Sequence, residues 1–412
     1  MIGLYNRLPV WLQDLAITWQ NAKVYHYKFG AKPFIKPIGK VVEEFRQKPL
    51  PLNDGREGER LIRLVRYVKK HVPYFTQNAE AYPEITSADE LDRWPLFPKT
   101  KLRQHSAELV SDEVSDNNSV AFKTSGSTGA PLKGYFAVAD MQIRFRALMA
   151  AMVAFGIDFR KPYARFPGHP IAPKGRPWRK DLLNGHFLFS IFHLSPETVP
   201  QYHQAITQNR IEALEGYPSV LHNLARMCEQ QGLKTPDLKF VLTTGEKLHP
   251  HQKEDLERIF GAKVFDYYGS SEGSIFAYTC TEGRIHTSNL TGLLEVLDKG
   301  GKAVAPGEEG NMVVTSFTGH FFPLIRYEIG DRCVPKTELR LRNRRHRPRR
   351  NSGRDEDVFV TKDGRIFSRF SLALKHLPEN ILSSQLVLSN EKSRALCALY
   401  RTGRTAVCRC RL

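Results

Sequence analysis

The middle of the chain alternates between two patterns of hydrophobic and polar residues. Short apolar runs with strand character take turns with longer segments in which apolar residues recur every three or four positions. The runs predict strands at residues 186–192, 211–214, 240–243 and 264–267. The segments between them predict helices at residues 195–209, from Pro218 to a cap at Gly232, and at 249–260. Such alternation is typical of an α/β fold.

The predicted strand, helix and strand over residues 240–267 indicate which loops lie together. The crossover through the helix makes the two strands parallel, so both strands end at the same edge of the sheet. The loop Thr244-Gly245-Glu246 follows the first strand, and the loop from Tyr268 to Gly273 follows the second. Because open α/β sheets bind ligands along this carboxyl edge, the two loops are candidate parts of one site.

Two further patterns lie outside this unit. A helix ended by Pro73 is predicted from an apolar stripe, which consists of Leu61, Leu64, Val65, Val68 and Val72. Residues 293–297 and 311–316 predict an antiparallel hairpin, because Gly300-Gly301 and Pro306-Gly307 stand between two apolar runs.

The segment Thr124–Lys133, TSGSTGAPLK, concentrates hydrogen-bond donors and ends in a cation. Its glycines let backbone amides approach an anion, and its hydroxyl groups and Lys133 add donors and charge, which suits a phosphate. The spacing fails the Walker A pattern, because Pro131 stands where the second glycine is required. Residues 120–123 and 134–138 read as strands, so a flexible hairpin turn is the alternative interpretation of the segment.

Four segments, in this order, resemble the motifs of the adenylate-forming acyl ligase superfamily. They are Thr124–Lys133, Thr244-Gly245-Glu246, Tyr268-Gly269-Ser270-Ser271-Glu272 and Tyr327-Glu328-Ile329-Gly330-Asp331. The branch that the chain resembles is the phenylacetate-coenzyme A ligase family, including its relatives associated with capsular polysaccharide biosynthesis. The resemblance extends from about residue 60 to Asp331.

The resemblance implies a large N-terminal α/β domain over residues 1–352, with mixed and parallel sheets flanked by helices and a small β-rich subdomain. A small α+β C-terminal domain over residues 353–412 would follow a hinge at Asp355. The implied activity is ATP-dependent conversion of a carboxylic acid to an acyl-adenylate, then transfer to a thiol, coenzyme A. The C-terminal domain is short for the superfamily and presents no lysine in a Gly-rich segment, so the activity is expected to be impaired.

Glu272 is the candidate catalytic residue that general chemistry supports. A carboxylate beside a triphosphate is repelled unless a divalent cation lies between them, so Glu272 is a natural Mg²⁺ ligand. The resemblance implies the same role, and it adds Thr128 and Lys133 as catalytic residues. It also implies that Tyr268 lines the adenine site and that Asp331 binds ribose hydroxyls. The full implied nucleotide-binding set is Thr124, Ser125, Gly126, Ser127, Thr128, Gly129, Gly245, Glu246, Tyr268, Gly269, Ser271, Asp331 and Arg354.

The net charge of +18 is concentrated at the C-terminal end. Residues 336–354 carry +8 and residues 391–412 carry +5, so the remaining body is only mildly basic. That body holds no module of interleaved basic and aromatic residues, and nucleic-acid binding is therefore not expected. The two Arg-rich segments indicate reading-frame errors in the gene or its sequence, or alternatively a loop that binds polyanions.

Cysteine content and hydropathy bear on location and metals. Six scattered cysteines are too few for a disulfide framework, and Cys280 with His286 provides only two ligands for zinc. Neither a signal peptide nor a membrane-spanning segment is evident, so we expect a cytoplasmic protein whose partners are a nucleotide and a small carboxylic acid. The alternative function is a catalytically weakened nucleotide-binding homologue that acts in surface or capsular polysaccharide biosynthesis.

Overall fold

A computed structural model describes residues 5, 8–29, 38–123, 132–169, 171, 176–234 and 236–335, and short strands between residues 348 and 409. The chain divides into two compact units. The first comprises residues 1–122 and 134–354, and the second comprises residues 123–133 and 355–412.

Two short strands flank the segment that was predicted to bind phosphate. They are β1 (Ser119–Lys123) and β2 (Lys133–Ala137), which pair with each other in a two-stranded sheet. The predicted strands are therefore confirmed, although the second one ends at Ala137 because a helix begins at Val138. Residues 124–131 between them lie outside the described residues.

An eight-stranded mixed sheet forms the centre of the first unit. Its strands are β3 (Tyr163–Arg165), β4 (Trp178–Asp181), β5 (His186–Phe189), β6 (Ala213–Gly216), β7 (Phe240–Thr244), β8 (Lys263–Gly269), β9 (Phe276–Thr279) and β10 (Ile285–Thr287). They lie in the order β10-β9-β8-β7-β6-β3-β5-β4. The five strands from β8 to β5 in this order run parallel, and β4, β9 and β10 are antiparallel to their neighbours. The predicted α/β class is confirmed.

The first unit also contains α-helices. They are α1 (Val10–Phe29), α2 (Ile38–Gln47), α3 (Glu57–His71), α4 (Pro73–Gln77), α5 (Lys99–Gln104), α6 (Val138–Phe155), α7 (Val199–Gln208), α8 (Pro218–Gln230) and α9 (Pro250–Phe260). Short 3₁₀ helices occupy Ala88–Arg93 and Ile191–His193. The predicted stripe is the buried face of α3, where Leu61, Leu64, Val65 and Val68 are each at most 1% exposed. Among the described helices, none combines the length and apolar character needed to cross a bilayer.

The parallel strands are buried on both faces, which explains their continuous apolar runs. On one face, α7, α8 and α9 pack against alternate strand residues such as Leu214 and Val241. On the other face, α6 packs against the residues next to them, such as Ala213 and Leu242. Each central strand therefore contributes side chains to two separate cores.

Some predicted boundaries were wrong. The helix that Ser195 was expected to cap begins at Val199, because residues 195–198 form a hydrogen-bonded turn in which the Thr198 hydroxyl donates to the backbone oxygen of Ser195. The strand predicted over residues 186–192 ends at Phe189. The helix predicted to begin at Pro218 is confirmed as α8. The helix predicted to end before Gly261 is confirmed as α9, which Gly261 follows with a φ of 62°.

A four-stranded antiparallel sheet forms the β-rich part of the first unit. Its strands, in spatial order, are β11 (Gly292–Leu297), β12 (Gly310–Ser316), β13 (Tyr327–Pro335) and β14 (Pro348–Asn351). The predicted hairpin corresponds to β11 and β12, in which Leu294 pairs with Val314. The pairing between β12 and β13 is irregular. Val313 pairs with Glu328 and Asn311 pairs with Arg332, so β13 has two more residues between these pairs than β12 has.

Arg326 anchors this sheet to an earlier part of the chain. Its Nη2 and Nε donate to the Glu295 carboxylate at 2.8 and 3.1 Å, and its Nη1 donates to the backbone oxygen of Trp94 at 2.7 Å. Arg326 is only 7% exposed, so this ion pair is largely shielded from water. Trp94 and Phe97 are buried beside it, which agrees with a packing role for their segment.

The second unit contains antiparallel strands. They are β15 (Phe359–Val360), β16 (Ile366–Phe367), β17 (Ile381–Ser389), β18 (Arg394–Arg401) and β19 (Arg404–Arg409). β15 pairs with β16, and β18 lies between β17 and β19. The Arg-rich residues 336–347 lie outside the described residues, as does the predicted hinge at Asp355.

Candidate active site

The carboxyl ends of β7 and β8 meet at one edge of the large sheet, as the sequence predicted, and the parallel strand β6 ends at the same edge. Gly245 follows β7 with a φ of 83°, a conformation that glycine adopts without strain. The next residue, Glu246, accepts a hydrogen bond at 3.2 Å from the backbone nitrogen of Ser219, in the first turn of α8. The partial positive charge at a helix N-terminus favours a carboxylate there.

Tyr268 and Asp331 come from motifs far apart in the chain, and their side chains are in direct contact. The Tyr268 hydroxyl donates a hydrogen bond of 2.6 Å to Oδ2 of Asp331. The prediction that Tyr268 and Gly269 lie in a loop is wrong, because they are the last residues of β8 and pair with Ala277 and Phe276. The contact joins the carboxyl edge of the large sheet to β13 of the small one.

A compact turn carries Glu272 immediately after β8. The Ser270 and Ser274 hydroxyls are 2.9 Å apart, and the Gly273 nitrogen donates to the Ser270 oxygen at 3.0 Å. Ser316 holds the turn from β12, because its hydroxyl donates to the Gly273 oxygen at 3.2 Å. Glu272 is partly exposed, and its carboxylate has no hydrogen-bond or ion-pair partner among the described residues.

The structure brings together only part of the predicted nucleotide-binding set. Tyr268 contacts Asp331, Gly269 and the exposed Ser271 adjoin Glu272, and Gly245 with Glu246 follows the neighbouring strand. Lys133 is the exposed first residue of β2. The remaining members lie outside the described residues: Thr124, Ser125, Gly126, Ser127, Thr128, Gly129 and Arg354. Their roles stay predictions.

Sequence reasoning missed a buried carboxylate at the end of β6. Glu215 accepts hydrogen bonds from the hydroxyls of Tyr163 and Tyr267, the latter at 2.7 Å, and Oε2 of Glu215 lies 3.0 Å from Nε of Arg165. Burial, followed by the charge of Glu215, raises the pKa of Tyr267 well above its usual value. An acidic residue at the end of an otherwise apolar strand is the signal that could have identified this cluster.

Cys280 and His286 lie on one face of the β9–β10 hairpin and line a separate cavity of about 520 Å³. Tyr278 lines the same cavity, with its ring centre 5.8 Å from that of His286. Within the part of the chain that the structure describes, no three metal-binding side chains cluster.

Asp266 lies in β8, two residues before Tyr268, and is partly buried. The Thr243 hydroxyl donates to its Oδ1 at 2.7 Å. Burial raises the pKa of Asp266 from 3.8 to about 6, because the charged form is poorly solvated there.

Replacing Asp266 by asparagine should change how stability depends on pH. A carboxyl group whose pKa is raised in the folded state destabilises the protein as pH rises from about 4 to about 6, because folding then opposes ionisation. The shift corresponds to at most roughly 3 kcal/mol. Relative to wild type, Asp266→Asn should therefore gain stability across this window and show a constant difference above pH 7. Apparent melting temperatures between pH 4 and pH 8 measure this gain.

The control for Asp266 is Asp237→Asn, which changes an exposed carboxylate. This substitution should leave the pH dependence of the melting temperature as in wild type. A stability difference between Asp266→Asn and wild type that is the same at pH 4.5 and pH 7.5 would contradict the assigned pKa.

Comparison with known proteins shows which proteins this chain resembles in sequence and in fold. Residues 186–318 match the family of AMP-binding enzymes. A crystal structure of 2-hydroxyisobutyryl-CoA ligase in complex with 2-HIB-AMP and CoA has a TM-score of 0.60 at 20% identity, covering 83% of this chain and 77% of that one. An open conformation of the same ligase has a TM-score of 0.57 at 21% identity, covering 83% and 78%. The chain therefore has the fold of adenylate-forming acyl-CoA ligases.

Two relatives in sequence define the branch. Protein CapK of Staphylococcus aureus is 23% identical over 402 residues, covering 93% of this chain and 85% of the relative. A phenylacetate-coenzyme A ligase of Thermus thermophilus is 25% identical over 350 residues, covering 81% and 77%. Residues 186–318 thus match an AMP-binding domain, and the predicted resemblance to the adenylate-forming superfamily and its phenylacetate-coenzyme A ligase branch is confirmed.

Proposed function

We propose that the protein activates a small carboxylic acid with ATP and transfers the acyl group to coenzyme A. In the first step a carboxylate oxygen attacks the α-phosphorus of ATP, the bond from that phosphorus to the bridging oxygen breaks, and pyrophosphate leaves. In the second step the thiolate sulfur attacks the acyl carbon, and AMP leaves with the electron pair of the broken carbon–oxygen bond. The contact between Tyr268 and Asp331 is the observation that carries this proposal.

The contact matters because it places an aromatic ring and a carboxylate side by side at the edge where such sheets bind ligands. The ring of Tyr268 offers a flat face to a nucleobase, and Asp331 can accept hydrogen bonds from ribose hydroxyls. Gly245 and Glu246 follow the neighbouring strand and complete the adenine side. The segment Thr124–Gly129, which includes Thr128, would surround the phosphates together with Lys133, and Arg354 would contact the ribose or a phosphate.

Glu272 fits a Mg²⁺ ion bound together with substrate phosphates. Mg²⁺ is usually held by one or two carboxylates, substrate phosphate oxygens and water, so a cage of protein ligands is not required. The Glu272 carboxylate is partly exposed on a turn whose backbone is held by hydrogen bonds, which suits a single ligand of this kind. When bound, the ion would neutralise the charge that develops on the departing pyrophosphate.

Pyrophosphate release tests the proposal. The full chain is incubated with ATP, Mg²⁺ and a panel of aromatic and aliphatic acids, and reactions without acid serve as controls. We expect acid-dependent pyrophosphate, and an acyl-coenzyme A thioester when coenzyme A is added. Stabilisation by AMP without pyrophosphate release would instead support the weakened nucleotide-binding homologue in polysaccharide biosynthesis, a candidate favoured by the similarity to CapK along 93% of the chain. If neither occurs, both are wrong.

The cytoplasmic location, and the domain boundary after residue 352, stay predictions that accompany this proposal. A fractionation experiment with an antibody against the chain tests the location. Limited proteolysis tests the boundary, because cleavage near residue 353 would release a fragment that begins at the second predicted domain.

A further inference from the structure

Arg144 is a cation in the middle of α6, a helix that otherwise packs apolar residues such as Ala147 and Met152 against the large sheet. Its guanidinium is held in one place by three contacts. Nε donates to the Thr318 hydroxyl at 2.9 Å, Nη2 donates to the Thr318 backbone oxygen at 2.7 Å, and Cζ lies 4.0 Å from the centre of the Phe136 ring. Thr318 is itself fully buried, so the guanidinium is fixed from the protein side.

No carboxylate among the described residues lies within ion-pair distance of Arg144. Asp140, one turn earlier on α6, is engaged elsewhere, because it accepts hydrogen bonds at 2.9 and 2.8 Å from the nitrogen and Nδ1 of His320. Nη1 of Arg144 donates no hydrogen bond to a described residue. Burial lowers the pKa of Arg144 to about 10, so it stays charged at neutral pH. A largely buried charge with only neutral acceptors is costly, and an anionic ligand would relieve the cost.

The guanidinium also lies against the turn that carries Glu272. Gly273 has a φ of 64°, and a Cβ atom at this position would overlap Nη1 and Cζ of Arg144. Gly273 therefore lets the charged group approach the backbone directly after Glu272. Nη1 of Arg144 is thus adjacent to the turn where, under the proposed function, the metal ion and the reacting phosphate come together.

We propose that Arg144 binds the carboxylate of the acid substrate through Nη1 and holds it beside the α-phosphate of ATP. This inference rests on the proposed function and names a substrate-binding residue for it. The acid and the nucleotide are both anions, so their approach needs a cation between them. A guanidinium fixed by Thr318 and Phe136 supplies that charge without reorganisation, and Nη1 is the nitrogen that donates no hydrogen bond to a described residue.

The test compares Arg144→Met and Arg144→Lys with Arg146→Met. Arg146 is the matched control, because it lies on the same helix, is exposed, and pairs at the surface with Glu44 at 2.9 Å. With the best acid of the panel, Arg144→Met should raise the KM for the acid at least tenfold and leave the KM for ATP within twofold. Arg144→Lys should recover part of the loss, and Arg146→Met should behave as wild type. An unchanged KM for the acid, or a rise confined to the KM for ATP, would overturn the proposal.

Binding measurements separate failure of this inference from failure of the proposed function. If wild type releases no pyrophosphate with any acid, the proposed reaction is wrong. The role of Arg144 is then tested by the thermal shift that phenylacetate and benzoate cause in the absence of ATP. Stabilisation of wild type by these acids that is absent in Arg144→Met supports the carboxylate site. Equal shifts in both proteins, or no shift in wild type, overturn it. Arg144→Met should melt no lower than wild type without ligand, because it removes a buried charge.

Discussion

We expect Glu272→Ala to lower the rate of pyrophosphate release about a hundredfold or more, with little change in melting temperature. Losing one group that stabilises charge in a transition state commonly costs a factor of this size. Stability should be spared, because the Glu272 carboxylate makes no hydrogen bond or ion pair with the residues that the structure describes. The rate is measured at saturating acid and ATP while Mg²⁺ is varied, and the variant should need more Mg²⁺ to reach its maximum.

Glu282→Ala is the matched control for Glu272. Glu282 is also a carboxylate in an exposed turn, the one between β9 and β10, and it forms an ion pair with Arg284. Its removal should leave both the rate and the Mg²⁺ requirement as in wild type. Equal rates for wild type and Glu272→Ala would remove Glu272 from the proposed catalytic machinery, whereas equal loss in both variants would indicate an effect of net charge.

Arg326→Met should lower the free energy of unfolding by at most roughly 3–5 kcal/mol, because it leaves the largely buried carboxylate of Glu295, whose side chain is 20% exposed, without its partner. Burial already raises the pKa of Glu295, and Arg326 is the group that opposes this shift. The substitution also removes the hydrogen bond to the backbone oxygen of Trp94, which joins the small sheet to the segment before α5. The apparent melting temperature should fall by on the order of 5 °C.

Arg332→Met provides the control, because Arg332 lies in β13, the strand that begins directly after Arg326. Nη1 of Arg332 lies 3.1 Å from Oε2 of Glu309, but the two side chains are 54% and 38% exposed, so this pair should contribute at most about 1 kcal/mol. The double variant Arg326→Met with Glu295→Leu should recover part of the loss, because it removes the unpaired charge. A loss for Arg326→Met no larger than that for Arg332→Met would contradict the role assigned to the buried pair.

The sequence predicted the centre of the fold because local signals agreed there. The strand before Gly245 is a continuous apolar run, and the helix after it has Pro250 in its first turn and Gly261 at its end. A helical crossover between two neighbouring strands makes them parallel. The order of these elements along the chain therefore predicted that the two motif loops lie at the same edge of the sheet.

Other parts of the site depend on contacts that no local pattern encodes. The bond between Tyr268 and Asp331 joins residues 63 positions apart and requires two sheets to meet. Arg144 sits in a largely apolar helix, where it gives no periodic signal that sets it apart from Arg146, and its importance arises from Thr318 and Gly273. The segment Thr124–Gly129 carries the strongest sequence signal of all, yet it lies outside the described residues, so its part in the site remains a prediction.

The irregular pairing of β13 lets the small sheet carry the polar residue Asp331 between two buried residues of the same strand. Between Arg332 and Glu328 the strand uses two residues more than β12 does, and Gly330 lies among them with a φ of 85°. An even number of extra residues bends a strand without exchanging its two faces, since side chains alternate with a period of two. Ile329 and Cys333 on either side therefore both remain buried, while Asp331 between them reaches Tyr268. An odd number of extra residues would have moved the side chains in one half of this strand to the opposite face of the sheet.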